Sequence, residues 1–165
     1  MEPILPWTGL DSISSVIETV DGGFAMCGFT PSFRNTGHDA WLIKLDSNGN
    51  MQWNKSFGER ENDWAKAIFQ AVDSGFVVID SKQLSRSGNV SWVIDVDSEG
   101  NEQWNKTYGD KSIDNRFTDA IKTSDGYALV GYSVFTSKET SWLLKINSMG
   151  DPQWKNHMVN PVIVR

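Results

Sequence analysis

The chain has 165 residues, enough for one domain with a sizeable core, and carries a net charge of -6 at pH 7. Surfaces that bind nucleic acid or an anionic membrane are usually basic, so this acidic balance argues against both as partners. The only cysteine is Cys27, which excludes an intrachain disulfide. No apolar run approaches the ~20 residues that a membrane-spanning helix needs, and residues 1–6 lack the pattern of a signal peptide.

The first predicted elements are four short strands at residues 13–19, 24–30, 40–46 and 51–57. In the third segment, Trp41, Ile43 and Leu45 face one way, and the residues between them face the other. An alternation of period two among aromatic and β-branched residues indicates a β-strand. The connections are rich in Asp, Asn and Gly, which predicts tight hairpins. The segment from Trp64 to Ala71 resembles a helix locally, but its alignment with the first strand of the other units predicts a strand.

The whole unit then recurs twice. Trp41, Trp92 and Trp142 follow one another at intervals of 51 and 50 residues, and Asp21, Asp73 and Asp125 at intervals of 52. Four antiparallel strands that repeat at about 50 residues predict the blade of a β-propeller. The sequence therefore predicts an all-β fold of three four-stranded antiparallel blades. Their predicted bounds are about 10–58, 63–109 and 114–159, with extra terminal strands at 1–9 and 160–165.

Three blades do not close a ring, since propellers typically contain ~4–8. Three arrangements remain open at this point: two chains that pair into a six-bladed ring, a piece of a longer propeller, and an open arc with capped ends. Extra strands at both ends favour a homodimer in which each chain donates strands to the next.

A consensus follows from the repeat, with the pattern W-L-x-K-x-D-x-x-G-x-x-Q-W-x-K-x-x-G followed by a D-G-G-Y-like turn. Its first copy is carried by Trp41, Lys44, Asp46, Gly49, Gln52, Trp53, Lys55, Gly58, Asp73, Gly75 and Phe76. It resembles the Trp-rich propeller repeats of archaeal and bacterial cell-surface proteins, over about residues 13–159. The resemblance implies an extracellular or cell-surface location as part of a longer secreted protein, and a role in adhesion or binding.

The shorter motif D-x-x-G-x-x-x-W is also similar to the repeats of pyrroloquinoline-quinone-type propellers. That resemblance implies a structural role for the tryptophans, which would dock blade against blade. The predicted docking residues are Trp41, Trp53, Trp92, Trp104, Trp142 and Trp154. The middle unit departs from the pattern at three positions, with Asp80 in place of glycine, Lys82 in place of Thr or Ser, and Asp95 in place of lysine.

The predicted ligand site lies on the long-loop face, because unequal loops on a rigid scaffold are where binding usually resides. The alternative is a solvated loop surface without a ligand. The candidate ligand-binding residues are Arg34, His38, Asp39, Arg86, Lys138, Asp63, Asp114 and Arg116. Trp7 and Trp64 are further candidates for stacking on a glycan.

No catalytic residue, cofactor or metal is expected. His38 and His157 fall in different blades, whereas a zinc site needs three or four converging ligands. Residues 46–50 have the spacing of a calcium loop but lack the later bidentate acid. Asp80 and Asp95 form a candidate carboxylate pair in which each raises the pKa of the other, and nearby Lys82 favours a plain charge cluster.

The sequence thus predicts a non-enzymatic binding or structural module that recognises a ligand, glycan or protein. Two alternatives remain open. One is a fragment of a quinone-type or other enzymatic propeller, and the other is an intracellular scaffold for protein partners.

Overall fold

A computed structural model of the chain describes residues 10–31, 37–59, 61–85, 88–136 and 138–158. In these ranges the chain forms twelve β-strands and no helix. The strands are β1 (Ser12–Glu18), β2 (Phe24–Pro31), β3 (His38–Leu45), β4 (Met51–Phe57), β5 (Asp63–Gln70), β6 (Phe76–Ser85), β7 (Gly88–Val96), β8 (Glu102–Tyr108), β9 (Asp114–Thr123), β10 (Gly126–Phe135), β11 (Lys138–Asn147) and β12 (Pro152–Met158).

The strands form three antiparallel four-stranded sheets, each built from four consecutive strands. We call them sheet 1 (β1–β4), sheet 2 (β5–β8) and sheet 3 (β9–β12). The all-β class and the three four-stranded antiparallel units predicted from the sequence are confirmed. Among the described residues, no helix is long and apolar enough to span a membrane.

The hairpin between the third and fourth strand has the same chemistry in every sheet. In sheet 1, Oδ1 of Asp46 accepts hydrogen bonds from the amides of Asn48 and Asn50 at 2.9 and 2.8 Å. Gly49 follows with φ of 82°, in the left-handed region that favours glycine. Asp97 and Asn147 make the matching contacts in sheets 2 and 3. The side-chain hydrogen bonds that define this turn are therefore local to it.

The first strand of each sheet also carries the same irregularity. The register shifts after Ile13 in β1, after Ala65 in β5 and after Phe117 in β9. These three residues occupy equivalent positions, so the sheets can be compared residue by residue.

The sheets stack in chain order, with sheet 2 in the middle. Strand β5 contacts β1, β2 and β3, and β9 contacts β5, β6 and β7. One apolar cluster fills the space between sheets 1 and 2, and a second fills the space between sheets 2 and 3. In β7 every residue after the first is buried, whereas all seven residues of β12 are exposed. The stack therefore ends in two faces that the other described sheets leave uncovered.

Candidate functional site

The sheets are joined by a tryptophan of one sheet placed on a glycine turn of the next. A Cβ atom at Gly100 would lie 2.9 Å from Cζ3 of Trp53, and Nε1 of Trp53 donates to the carbonyl oxygen of Ser98 at 3.1 Å. A Cβ atom at Gly150 would lie 2.6 Å from Cζ3 of Trp104. Each turn thus needs a glycine, because a side chain there would collide with the indole ring.

The repeat contains a third tryptophan on sheet 3 and a third glycine turn on sheet 1, and neither has its partner among the described residues. Trp154 occupies the position of Trp53 and Trp104, but it is 46% exposed. Gly49 occupies the position of Gly100 and Gly150, and a Cβ atom there would meet nothing within 4 Å. Among the described residues, no glycine turn packs against Trp154, and no tryptophan packs against the Gly49 turn.

The remaining tryptophans of the predicted docking set lie inside their own sheets. Trp41, Trp92 and Trp142 are buried, with 1% exposure for Trp142. Nε1 of Trp92 donates to Oδ1 of Asn105 at 3.2 Å, and Nε1 of Trp142 donates to Oγ of Ser133 at 3.0 Å. These residues hold neighbouring strands of one sheet together as well as filling the core.

The apolar residues around the open contact follow the same pattern. On β1, Val16 is 58% exposed, whereas the equivalent Ile68 of β5 is 2% exposed. On sheet 3, Val130 is 39% exposed, whereas the equivalent Ile79 of sheet 2 is 1% exposed. We call the uncovered side of sheet 1 the front face and that of sheet 3 the back face. The front face presents Ile13, Val16 and Phe24, and the back face presents Ile121, Val130, Trp154 and Met158.

Several predicted long-loop site residues act as contacts between sheets. The backbone amide of His38 donates to Oδ1 of Asn62 at 3.1 Å, and the amide of Asn89 donates to Oδ1 of Asp114 at 3.1 Å. Asn62 and Asp114 thus perform the same task at successive boundaries. Arg116 donates from Nε to Asp114 at 3.0 Å. Asp114 is therefore already engaged by two partners.

The structure brings Asp39 and Asp63 together at the boundary between sheets 1 and 2. Both are buried, and each has one carboxylate oxygen without a hydrogen-bond partner among the described residues, as does Asp80. Burial raises the pKa of Asp63 to about 7 and that of Asp80 to about 8. Lys82 opposes both shifts, but it pairs with Glu59 at 3.0 Å.

The other predicted site residues lie apart from this group or outside the described residues. Lys138 lies exposed on β11. Arg34 and Arg86 fall outside the described residues, as do Trp7 and the terminal segments 1–9 and 160–165. Trp64 lies half-buried on β5 and lines a shallow cleft with Lys66, Ser81, Asn89 and Arg116.

Asp80 and Asp95 lie on the adjacent strands β6 and β7, but they do not form the candidate carboxylate pair. In the register of β6 and β7, Asp80 lies opposite Trp92, and Asp95 lies opposite Val77. The pKa of Asp80 is raised by burial and then by Asp63, and the pKa of Asp95 is raised by burial and then by Asp73. The two carboxylates are therefore three positions apart in the register and respond to different acidic neighbours.

Asp95 instead faces a cleft between sheets 2 and 3, on the side of the tight hairpins. The cleft has a volume of about 600 Å³ and is lined by Asp73, Asp95, Gln103, Trp104 and Tyr127 among others. Sequence reasoning placed the candidate ligand site on the opposite loops and did not identify this cleft. The sequence did contain a signal, because the middle unit has Asp95 where the other two units have Lys44 and Lys145.

The described residues contain no group of three or more His, Cys, Asp or Glu side chains placed to hold a metal ion. Comparison with known proteins gave no match, either to a family model or to a curated protein.

Proposed function

We propose that the protein is a non-enzymatic β-propeller module that works as an assembled binding and structural unit. Its three sheets are three blades, and two copies complete a six-bladed ring. The observation that carries this proposal is the open Trp154 on the back face together with the open Gly49 turn on the front face. Both halves of the contact already join the blades within one chain, at Trp53 with Gly100 and at Trp104 with Gly150.

The charges of the two faces are compatible with this arrangement. Within the chain, Nζ of Lys106 pairs with Asp151 at 2.6 Å across a blade boundary. Where the back face of one copy would meet the front face of the other, the equivalent residues are Asn156 and Asn50, so no like charges would meet. Joining the back face of each copy to the front face of the other gives two identical contacts and a closed twofold ring.

The ring would present its loops in duplicate around the axis. Recognition of a ligand, a glycan or a protein by the long-loop face remains a prediction, as does an extracellular or cell-surface location. The resemblance to Trp-rich cell-surface repeats supports both.

The test is the solution mass measured by light scattering over about a hundredfold range of concentration. We expect twice the chain mass of 18.5 kDa at high concentration. Trp154→Ala and Val16→Asp should each weaken association by about tenfold or more, because they remove the indole or place a charge on the front face. Val20→Asp makes the same change at a turn residue that is 82% exposed, and it should leave the mass unchanged.

A wild-type protein that stays at the chain mass throughout would contradict the proposed ring. So would a dimer that survives both Trp154→Ala and Val16→Asp, since its interface would then lie elsewhere.

A further inference from the structure

The turn face of sheet 1 holds a lysine ammonium in a cage of oxygen atoms. Nζ of Lys44 lies 2.9 Å from Oδ2 of Asp21, 2.9 Å from the carbonyl oxygen of Leu45 and 3.0 Å from Oε1 of Gln52. Lys44 is 5% exposed, so this charge is buried and fully engaged. A buried ammonium is stable in a protein only when such partners replace its water.

Sheet 3 repeats the arrangement. Nζ of Lys145 lies 2.7 Å from Oδ1 of Asp125 and 2.9 Å from the carbonyl oxygen of Ile146. The ammonium cage is therefore a recurring feature of the fold.

Sheet 2 has equivalents of the acceptors that form the cage but no lysine at the equivalent position. Asp95 takes the lysine position, since it pairs with Val77 and Trp104 in the register, just as Lys44 pairs with Ala25 and Trp53 in sheet 1. The equivalent acceptors are all present in the sequence of sheet 2. They are the carboxylate of Asp73, the carbonyl oxygen of Val96 and the side chain of Gln103.

Asp95 is 8% exposed and has no hydrogen-bond or ion-pair partner among the described residues. Asp73 accepts one hydrogen bond, from the amide of Gly75 at 3.2 Å. Its counterparts Asp21 and Asp125 each also accept from a threonine hydroxyl, but alanine takes that position in sheet 2, at Ala71. Two carboxylates thus face the cleft with spare acceptor capacity.

We propose that the cleft between sheets 2 and 3 binds a primary ammonium group carried on a short apolar chain, held by Asp73 and Asp95 where the other sheets hold their own lysine. The cleft is wide enough for such a ligand, at about 600 Å³. Its apolar walls are formed by Val72, Trp104, Tyr127 and Met149.

The other charged groups of the cleft are already engaged. Lys122 donates to the carbonyl oxygen of Gln70 at 2.6 Å, and Asp125 pairs with Lys145. Burial raises the pKa of Asp95 to about 7, and the negative charge of Asp73 adds to the shift. A bound cation favours the ionised carboxylate, so ammonium binding should be tighter above pH 7 than below it.

The test uses 1-butylamine and Nα-acetyl-lysine amide as probes, followed by calorimetry and by backbone amide NMR shifts. We expect saturable millimolar binding at pH 8, with shifts centred on Gly126 and Thr123. Asp95→Lys restores the residue of the other sheets, so it should keep the fold, as thermal unfolding would verify, and weaken binding by about 30-fold or more. Glu18→Gln removes one carboxylate from an exposed strand position and should bind like the wild type.

Tighter binding of the alkylamine would indicate a small-molecule amine, and tighter binding of the blocked lysine would indicate a peptide side chain. Either result supports the proposal. It is overturned if no saturable binding occurs, if Asp95→Lys binds equally well, or if tetramethylammonium, which has no N–H donor, binds as tightly as butylammonium. The cleft lies within one chain, so a failure to bind amines would not contradict the proposed ring. The solution mass of the same sample shows separately whether the dimer forms.

Discussion

Replacing Phe117 with alanine is expected to lower the free energy of unfolding by about 3–5 kcal/mol. Phe117 is fully buried between sheets 2 and 3, and its ring centroid lies 5.3 Å from that of Trp142 and 6.0 Å from that of Tyr108. Two aromatic partners and a strand backbone surround it, so the site has little room to collapse into the cavity. Urea denaturation followed by tryptophan fluorescence would measure the loss.

Ile13→Ala is the matched control for Phe117→Ala. Ile13 holds the equivalent position in β1, but it is 43% exposed because no described sheet covers the front face. At concentrations where the protein is monomeric, we expect its truncation to cost less than about 1 kcal/mol. Equal costs for the two variants in the monomer would contradict the exposed front face.

The protein is expected to become less stable as pH rises from about 5 to 8, by several kcal/mol in total. Three buried carboxyls have pKa values raised by burial, to about 7 for Asp63, about 8 for Asp80 and about 7 for Asp95. In the unfolded chain these groups ionise near pH 4. Between that pH and the folded pKa values, the folded state holds more protons, so raising the pH favours unfolding.

Asp80→Asn should flatten this pH profile. Asp80 is fully buried, and its Oδ1 accepts from the amide of Ser81 while Oδ2 has no hydrogen-bond partner among the described residues. An asparagine keeps the acceptor and cannot ionise, so the stability gain should grow from near zero at about pH 5 to its largest value at about pH 8. Chemical denaturation across this range would measure it.

Asp119→Asn is the control, because it removes a carboxylate from an exposed position on β9. An unchanged profile in Asp80→Asn would mean that its carboxyl ionises normally, and that the boundary between sheets 1 and 2 is wetter than the structure indicates.

The strands and hairpins could be predicted because their determinants are local. Asp46 and Gly49 define one turn within five residues, and the alternation around Trp41 identifies a strand without reference to the rest of the chain. The repeat then supplied the pairing, since each unit had to form the same hairpins. Repetition also made the departures of the middle unit visible at Asp80 and Asp95.

The candidate site could not be predicted in the same way, because it depends on contacts between residues that are far apart in the sequence. Asn62 and Asp114 fall in loops predicted from the sequence, yet they accept hydrogen bonds from amides at the start of strands in the preceding sheet. That Asp95 lies near Asp73 could be learned only from the register of β6 and β7, because a shift of a few residues would place Asp95 beside Asp80. Composition could suggest that charges cluster, but only the stacked sheets decide which of them meet.

The burial of Cys27 allows opening of the boundary between sheets 1 and 2 to be followed by chemical modification of its thiol. Its side chain is fully buried in the apolar cluster there, and burial raises the pKa of its thiol to about 12. A thiol reagent can react only during excursions that part sheet 1 from sheet 2. Since Cys27 is the only cysteine in the chain, its rate of modification would report on the opening of this one boundary, without a signal from the rest of the molecule.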